Sequence, residues 1–416
     1  MSQLSFIEKL LDGVEVEWKS IGLMGELVRG SGLPKADFTD SGVPAIHYGQ
    51  IYTYYGLFTH TTKSFVSEGT ANKLKKVNCG DVVITNTSEN LEDVGKSLVY
   101  LGEIQAVTGG HATIFKPNQG ILGKYFAYYT QTNTFFKDKR KFAKGAKVID
   151  VSAKDLSKIE VPIPCPDNPK KSLEIQAEIV RILDTFTELT TELTTELSAR
   201  KKQYNYYRDQ LLSFEDGDVE WKTLEEVAHF ANGKGHEKAI SDDGKYIVVN
   251  SKFISTDGRV AKYSDSQICP LLKDDILIVM SDLPNGKALS KTFIVDEDDK
   301  YTLNQRIGGI TVRNKKQILP KFLHYFLNRT SQLLRHNNGV DQTNLRKGQI
   351  LEVKIPILPL SDQLRIVKTL DQFDTITKSI TEGLPREIKL RQQQYEYYRD
   401  LLLSFPKSAA ELKADA

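Results

Sequence analysis

Self-comparison shows that the chain is written twice, and a duplicated chain must fold as two like modules. Val16-Glu17-Trp18-Lys19 recurs as Val219-Glu220-Trp221-Lys222, an offset of 203 residues that takes in both tryptophans of the sequence. Glu160-Val161 followed by Ile163-Pro164 recurs 192 residues later as Glu352-Val353 followed by Ile355-Pro356. Gln203-Tyr204, Tyr206-Tyr207-Arg208-Asp209 and Leu212-Ser213-Phe214 return at an offset of 191 as Gln394-Tyr395, Tyr397-Tyr398-Arg399-Asp400 and Leu403-Ser404-Phe405. Shorter echoes keep the same order: Gly80-Asp81-Val82 with Asp274-Asp275-Ile276, Gly95-Lys96 with Gly286-Lys287, and Gly110-His111 with Gln305-Arg306. Leu4-Ser5-Phe6 before the first opening resembles Leu212-Ser213-Phe214 before the second, so the repeat is nearly cyclic.

Each copy has a mixed stretch followed by one of helical period. In the first copy Ile179, Leu183, Phe186, Leu189, Leu193, Leu197, Tyr204, Tyr207, Leu211 and Phe214 fall mostly three or four apart, the spacing of one helical stripe. A helix from Gln176 to Phe214 would be a rod of about 58 Å. The second copy, Gln363 to Phe405, is four residues longer and contains Gly383 and Pro385, where a kink or break is expected. Inside the first rod, Thr187 to Ser198 reads Thr-Glu-Leu-Thr, Thr-Glu-Leu-Thr, Thr-Glu-Leu-Ser. Each such unit adds about 6 Å and turns the Leu stripe by about 40°. The run reads equally as an exposed helix with a Leu seam or as a spacer between like domains. The mixed stretches alternate β-rich runs (Val82 to Thr85, Ile276 to Val279, Lys291 to Val295) with Gly, Asn and Asp turns and helices such as Phe322 to Leu327, an α+β pattern.

At 416 residues the chain has room for two or three domains. Lys and Arg number 56 against 54 Asp and Glu, a net charge of +2, so nucleic-acid affinity must come from local patches. Three scattered cysteines, Cys79, Cys165 and Cys269, form no C-x-x-C pair and fit a reducing cytoplasm. Glu8, Lys9 and Asp12 interrupt any signal-peptide pattern, and Ile276 to Met280 is too short to span a bilayer. Catalytic signatures are missing. Gly95-Lys96-Ser97 has Asn90 where a phosphate loop needs Gly. Asn168-Pro169-Lys170 lacks the Pro and aromatic residue of an amino-methyltransferase, and Pro166-Asp167 lacks the acidic-x-Lys partner of a nuclease. No H-E-x-x-H or G-x-S-x-G occurs, so neither catalytic residues nor a metal site is expected.

Polar and basic clusters remain. Lys137, Lys139, Arg140, Lys141, Lys144 and Lys147 gather around Gly145, a strip suited to a phosphate backbone. The second copy has Arg335, His336, Asn337, Asn338, Gln342, Asn344, Arg346 and Lys347 at the corresponding place, and Arg, Asn and Gln are the side chains that bond base edges in pairs. Tyr48, Tyr52, Tyr54 and Tyr55 suit either base stacking or a core. Tyr48, Lys96, His111, Lys287 and Arg306 complete the DNA-binding candidates with the clusters, His111 and Arg306 at matched positions.

The paired V-E-W-K openings, the E-V-x-I-P exits, the two Q-Y-x-Y-Y-R-D-x-L-L-S-F helix ends and the tetrads together resemble the specificity (S) subunit of type I restriction-modification enzymes, in the branch with four-residue spacer repeats. The resemblance implies an α+β fold: two pseudo-symmetric globular α/β target recognition domains (16–166 and 216–360) separated by two long antiparallel helices (167–215 and 361–406) forming a coiled-coil spacer. Residues 1–15 would be a fragment of the cyclic repeat and 407–416 a flexible tail. It implies a non-catalytic subunit whose domains each read half of a bipartite double-stranded DNA site. That site would be asymmetric, because the two copies differ at nearly every polar position. Two modification subunits would supply S-adenosylmethionine-dependent methylation of adenine, and two restriction subunits ATP- and Mg-dependent translocation and cleavage; this chain would carry no cofactor. By position, Tyr204, Tyr207, Arg208, Leu211 and Phe214 with Tyr395, Tyr398, Arg399, Leu402 and Phe405 would dock the modification subunits, although the same spacing describes a plain coiled-coil seam. The alternative is a coiled-coil adaptor with two protein-binding domains.

Overall fold

The computed structural model describes residues 13–405 apart from 216, 218, 237, 238, 285, 380 and 381, so the Leu4-Ser5-Phe6 echo and the tail at 407–416 lie outside the described residues. The chain forms two compact units, Met1–Glu192 with Lys389–Ala416 and Leu193–Ile388. The boundary falls inside the second tetrad, so the first rod contributes to both.

Each unit closes on a ribbon made from the two sequence repeats that frame it. In the first, Val16–Ser20 pairs antiparallel with Glu160–Pro164, Trp18 opposite Pro162. In the second, Glu220–Thr223 pairs with Lys354–Ile357, Trp221 opposite Pro356. Two-stranded ribbons tolerate these prolines because a missing N–H can face away from the partner strand.

Within the first unit, five strands run in the order Gly25–Arg29, Ala112–Pro117, Val82–Thr85, Ser97–Tyr100, Phe58–Thr59. The first four are mutually antiparallel and the last is parallel to its neighbour. The second unit repeats the centre of this sheet as Ala228–Asn232, Ile307–Val312, Ile276–Val279, Thr292–Ile294. Val82–Thr85 and Ile276–Val279 are buried throughout, which is why both read as unbroken β-branched and aliphatic runs. A second sheet in each unit contains one parallel pair, Val43–Ile46 with Ala106–Thr108 and Tyr246–Val249 with Tyr301–Leu303.

Backbone geometry tests the echoes. Gly80 and Asp274 both adopt positive φ (89° and 75°), and the following Asp81 and Asp275 carboxylates accept from the backbone N–H of Asn78 and Leu272 at 2.8 and 2.9 Å. That echo is a true equivalence. The pairing of Gly95-Lys96 with Gly286-Lys287 is corrected. Thr85 N–H donates to Lys96 O, and Val279 N–H to Lys291 O, both at 2.9 Å; Gly95 N–H returns to Thr85 O and Ser290 N–H to Val279 O. The counterpart of Gly95-Lys96 is therefore Ser290-Lys291, each pair led by a residue of positive φ (77° and 58°).

The first rod is one helix of 43 residues, Pro169–Leu211, starting seven residues before Gln176 and stopping short of Phe214. Proline is accommodated at its first position, where no helical N–H is required. The second is broken into Leu360–Lys378 and Gly383–Leu403. Gly383 has φ of 72°, and a Cβ there would collide with the Thr375 carbonyl oxygen, so the break is encoded in the glycine.

The helices join each unit's core. In the first, Ile179, Leu183 and Phe186 share a buried cluster with Tyr398, Leu402 and the domain's Tyr125, Phe126 and Tyr129. In the second, Ile366, Val367, Leu370 and Tyr204 share one with Phe322, Leu323 and Phe326. Phe186 stacks on Tyr398 at 5.1 Å between centroids, and Phe373 on Tyr207 at 5.6 Å. Polar anchors are duplicated too. Gln176 accepts from Leu122 N–H and donates to Gly120 O; Gln363 accepts from Leu319 N–H and donates to Gln317 O. Asp184 takes the Lys124 ammonium at 2.8 Å and the Tyr128 hydroxyl at 2.7 Å, while Asp371 takes Lys321 and Tyr325, both at 2.7 Å. None of these groups stood out in the sequence, yet they fix each domain to its helix.

Candidate nucleic-acid interface

Three adjacent strands of the first unit's sheet meet at one edge: Val82–Thr85 ends there, and Ser97–Tyr100 and Ala112–Pro117 begin there, with Ile84 opposite Ser97 and Thr85 opposite Ala112. Antiparallel order therefore brings Lys96 and His111 to the two sides of the segment that follows Thr85. Asn86 anchors that segment: its backbone N–H donates to His111 O at 2.8 Å, its amide donates to Val151 O at 2.7 Å, and its Oδ1 accepts from Thr113. Thr87–Ser88 then pairs with Ile149–Asp150, which carries the loop of Lys144 and Lys147 to the same edge.

The second unit builds the same edge from different residues. Met280 N–H donates to Arg306 O and Leu345 N–H to Met280 O, as Asn86 does with His111 and Val151. Ser281–Asp282 pairs with Thr343–Asn344, placing Gln342 and Arg346 beside it. His111 and Arg306 occupy equivalent, exposed positions, and the two polar clusters occupy equivalent loops.

Lys96, His111, Arg140, Lys141, Lys144 and Lys147 are exposed. The His111 ring lies 4.8 Å from that of Tyr48 and its Nδ1 3.2 Å from Thr87 Oγ1, so Tyr48 belongs to the edge but is half-buried. Behind it the His47 imidazole is held below its ordinary pKa by burial first, then by Lys35 and His111. Lys139 is a correction. It is 4 % exposed, and its ammonium donates to Glu92 O at 2.9 Å and Val94 O at 2.5 Å, holding the 92–96 loop rather than facing solvent. Burial lowers its pKa to about 8 against the opposing pull of Asp93 and Glu92. In the second unit Lys287, Arg306, Arg335, Asn338, Gln342, Asn344 and Arg346 are exposed, and Asn337 is half-buried. The side-chain oxygens of Asn337 and Asn338 already accept backbone N–H groups of residues 339–341, so both shape the loop. Arg329, at φ of 59°, donates to Lys287 O at 2.6 Å and holds that loop as Lys139 holds its own.

The docking candidates divide. Tyr204, Tyr395, Tyr398 and Leu402 are buried within their own units, which corrects their assignment: they form the intrachain seam. Tyr207 is exposed, and Arg208, Leu211, Phe214, Arg399 and Phe405 are half-buried. Tyr206 and Tyr397, outside the predicted set, are the most exposed aromatics of the two helix ends, at 63 % and 56 %. Among the described residues no cluster of three or more His, Cys, Asp or Glu is arranged to hold a metal ion, and no helix is long and apolar enough to cross a membrane.

The family model for the type I restriction modification DNA specificity domain matches residues 14–201 and, a second time, 217–390. The chain belongs to that family. Among its type I relatives, the EcoR124I/EcoR124II specificity subunit of Escherichia coli is 38 % identical over 427 residues, covering 98 % of each chain. A putative specificity subunit of Haemophilus influenzae is 30 % identical, covering 96 % of this chain and 98 % of its own. The S subunit of M. genitalium has the same fold, with a TM-score of 0.55 at 15 % identity over 96 % of this chain and 98 % of that one. So does a chain from a study of assembly and conformational transition in the type I R-M system, with a TM-score of 0.62 at 14 % identity over 93 % and 97 %. The first three of these are named as specificity subunits, and the adaptor alternative finds no support among them.

Proposed function

We propose that this chain is the non-catalytic, sequence-reading subunit of a cytoplasmic type I restriction-modification complex, each unit recognising one half of an asymmetric bipartite duplex site. The observation that carries the reading is the duplicated sheet edge with different side chains at equivalent positions, His111 against Arg306 and a lysine-rich loop against one of Arg, Asn and Gln. A shared backbone frame gives both units one mode of approach to DNA, and unlike side chains give them different base preferences. Lys144 and Lys147 suit phosphate oxygens, whereas Arg306, Gln342 and Arg346 suit base edges. The tetrad helix sets the gap, and the exposed helix ends, Tyr206 with Tyr207 in one unit and Tyr397 in the other, dock two modification subunits. Those bring S-adenosylmethionine, and two restriction subunits bring ATP and Mg chemistry.

The test is binding of duplex DNA by the chain assembled with its modification subunits, measured across salt concentrations. Tight binding to one split sequence, lost when either half is changed, is the expected result; affinity blind to sequence would refute it. Purified alone, the chain should bind no S-adenosylmethionine.

A further inference from the structure

The second unit contains a cavity of about 520 Å³ between its domain and its helical stretches, lined by Lys201, Arg208, Arg259, Lys291, Arg329 and Lys378. Among the described residues two carboxylates line it with them, Asp374 holding Lys378 at 2.7 Å and Asp257 lying 3.9 Å from Arg259, while Arg208 is bonded to Asp209 at 2.6 Å; Lys201, Lys291 and Arg329 have no carboxylate of the lining as a partner. His324, also in the wall, is kept neutral: burial first, then Lys378 and Lys321, lower its pKa to about 3. The cavity is thus a concave site with an excess of positive charge and the size of a small-ligand pocket.

The duplication supplies an internal control. The first unit has a cavity of about 430 Å³ that shares the domain-side wall, where Lys96, Ser97, Gln131 and Thr132 stand for Lys291, Thr292, Asn328 and Arg329, but it is lined by no residue of the long helices. Its charged lining is two acids, Glu92 and Asp93, against Lys96 and Lys139. Where the second unit has Lys201, Arg329 and Lys378, the first has Gln392, Thr132 and Thr191. Arg208 and Lys291 have counterparts in Arg399 and Lys96, so the three further cations Lys201, Arg329 and Lys378 are particular to the second unit, and the common fold does not require them.

A hydroxyl marks the same spot. In the first unit Tyr395 donates to the Gln131 side chain. Its counterpart Tyr204 lines the cavity with Asn328, which is one methylene shorter than Gln131 and whose oxygen is taken by Thr292 N–H at 3.2 Å. Tyr204 is 5 % exposed; its hydroxyl lies beside the Lys378 ammonium and donates its own proton to no acceptor among the described residues. A ligand oxygen would accept the proton that this buried hydroxyl does not otherwise donate.

We propose that this cavity binds a phosphate-bearing ligand of up to mononucleotide size. Arginine and lysine are the side chains that hold phosphate oxygens, the former in paired hydrogen bonds. The Tyr204 hydroxyl donates to one of those oxygens. The phosphate is either part of a DNA backbone or carried by a free ligand, and the two sources are separable.

The probe is inorganic pyrophosphate, titrated into the full chain while unfolding of each unit is followed through its single tryptophan. Pyrophosphate should raise the midpoint reported by Trp221 saturably and leave that of Trp18 in place. Lys201→Gln with Arg259→Gln, both on exposed side chains, should weaken pyrophosphate binding about tenfold. Tyr204→Phe should leave the free protein at least as stable while also weakening binding. If pyrophosphate competes with duplex DNA and the double substitution lowers the salt slope of DNA affinity by about 2, the phosphate comes from DNA. If DNA binding is untouched, the site takes a free phosphorylated ligand. A midpoint shift reproduced by sulfate at equal ionic strength, or one unchanged in the double variant, would overturn the proposal.

Discussion

Duplicated anchors that differ in burial allow one substitution to be compared with itself. Asp184 and Asp371 make the same two bonds, to a lysine and to a tyrosine four residues further along one short helix. In the first unit the Lys124–Asp184 side chains are 22 % and 19 % exposed; in the second, those of Lys321 and Asp371 are 51 % and 36 %. Hydrogen bonds to charged groups contribute about 1.5–3 kcal/mol when shielded, while an exposed ion pair contributes about 0–1 kcal/mol. After truncation Tyr128 has only the Thr187 hydroxyl at 3.2 Å, whereas Tyr325 has the Asp374 carboxylate at 3.5 Å. Asp184→Ala should therefore cost about 3 kcal/mol and Asp371→Ala about 2 kcal/mol. Urea unfolding reads this directly: Trp221→Phe leaves Trp18 to report the first unit, and Trp18→Phe leaves Trp221 to report the second. Equal losses, or a larger loss for Asp371→Ala, would refute the claim that burial of the anchor sets its strength.

Deleting Thr191 to Thr194 shortens the helix by about 6 Å and rotates its continuation by about 40°, so the preferred gap in the DNA should shrink by one or two base pairs; methylation mapping should show both half-sites unaltered. His111→Ala should weaken binding by about 1–3 kcal/mol only on DNA carrying the first half-site, and Arg306→Ala likewise for the second, in a titration against oligonucleotides with one half scrambled. Lys139 titrates at about 8 in the folded chain and at the usual 10.5 when unfolded. Between those values the unfolded state holds more protons, so stability of the first unit should rise with pH by at most about 3 kcal/mol. Lys139→Gln should abolish that rise in Trp18-monitored melts. Tyr206→Asp with Tyr397→Asp should prevent co-purification with the modification subunit and leave both melting transitions of the chain unchanged.

Much of this architecture was legible because it was written twice and because buried strands leave unbroken apolar runs. The opening and exit repeats stood out as sequence and turned out to be the two strands of one ribbon in each unit. Gly383 announced its break through a backbone requirement that only glycine meets easily. What failed was register inside loops. A Gly-Lys dipeptide at 286–287 matched Gly95-Lys96 by residue type alone, four residues before the true counterpart, and only ladder hydrogen bonds reveal Ser290-Lys291. Lys139 was misread because charge was counted without phase: Phe135, Lys139 and Phe142 stand at i, i+4 and i+7, so the lysine lies on the helix's apolar stripe. Phase also separates the docking candidates. Tyr395, Tyr398 and Leu402 keep the seam spacing and are buried, while Tyr397 and Leu401 fall off it and are exposed.

The anchors explain how two reading edges can diverge while their supports do not. Gln176, Asp184 and Phe186 on one helix, and Gln363, Asp371 and Phe373 on another, sit at identical spacing and make identical bonds and stacks. These contacts lie where each domain meets its helix, and the candidate reading edge is carried by strand ends and loops. A substitution at His111 or Arg306 therefore changes an exposed side chain on a frame fixed by backbone hydrogen bonds, at little expected cost to folding. A substitution at Asp184 or Asp371 loosens the frame itself. On the proposed function, base preference and domain placement rest on separate sets of residues, and exchange of the loops 86–96 and 144–150 for those of another family member should transfer half-site preference without loss of stability. If such a transfer lowered the Trp18 transition as far as Asp184→Ala does, the separation would be false.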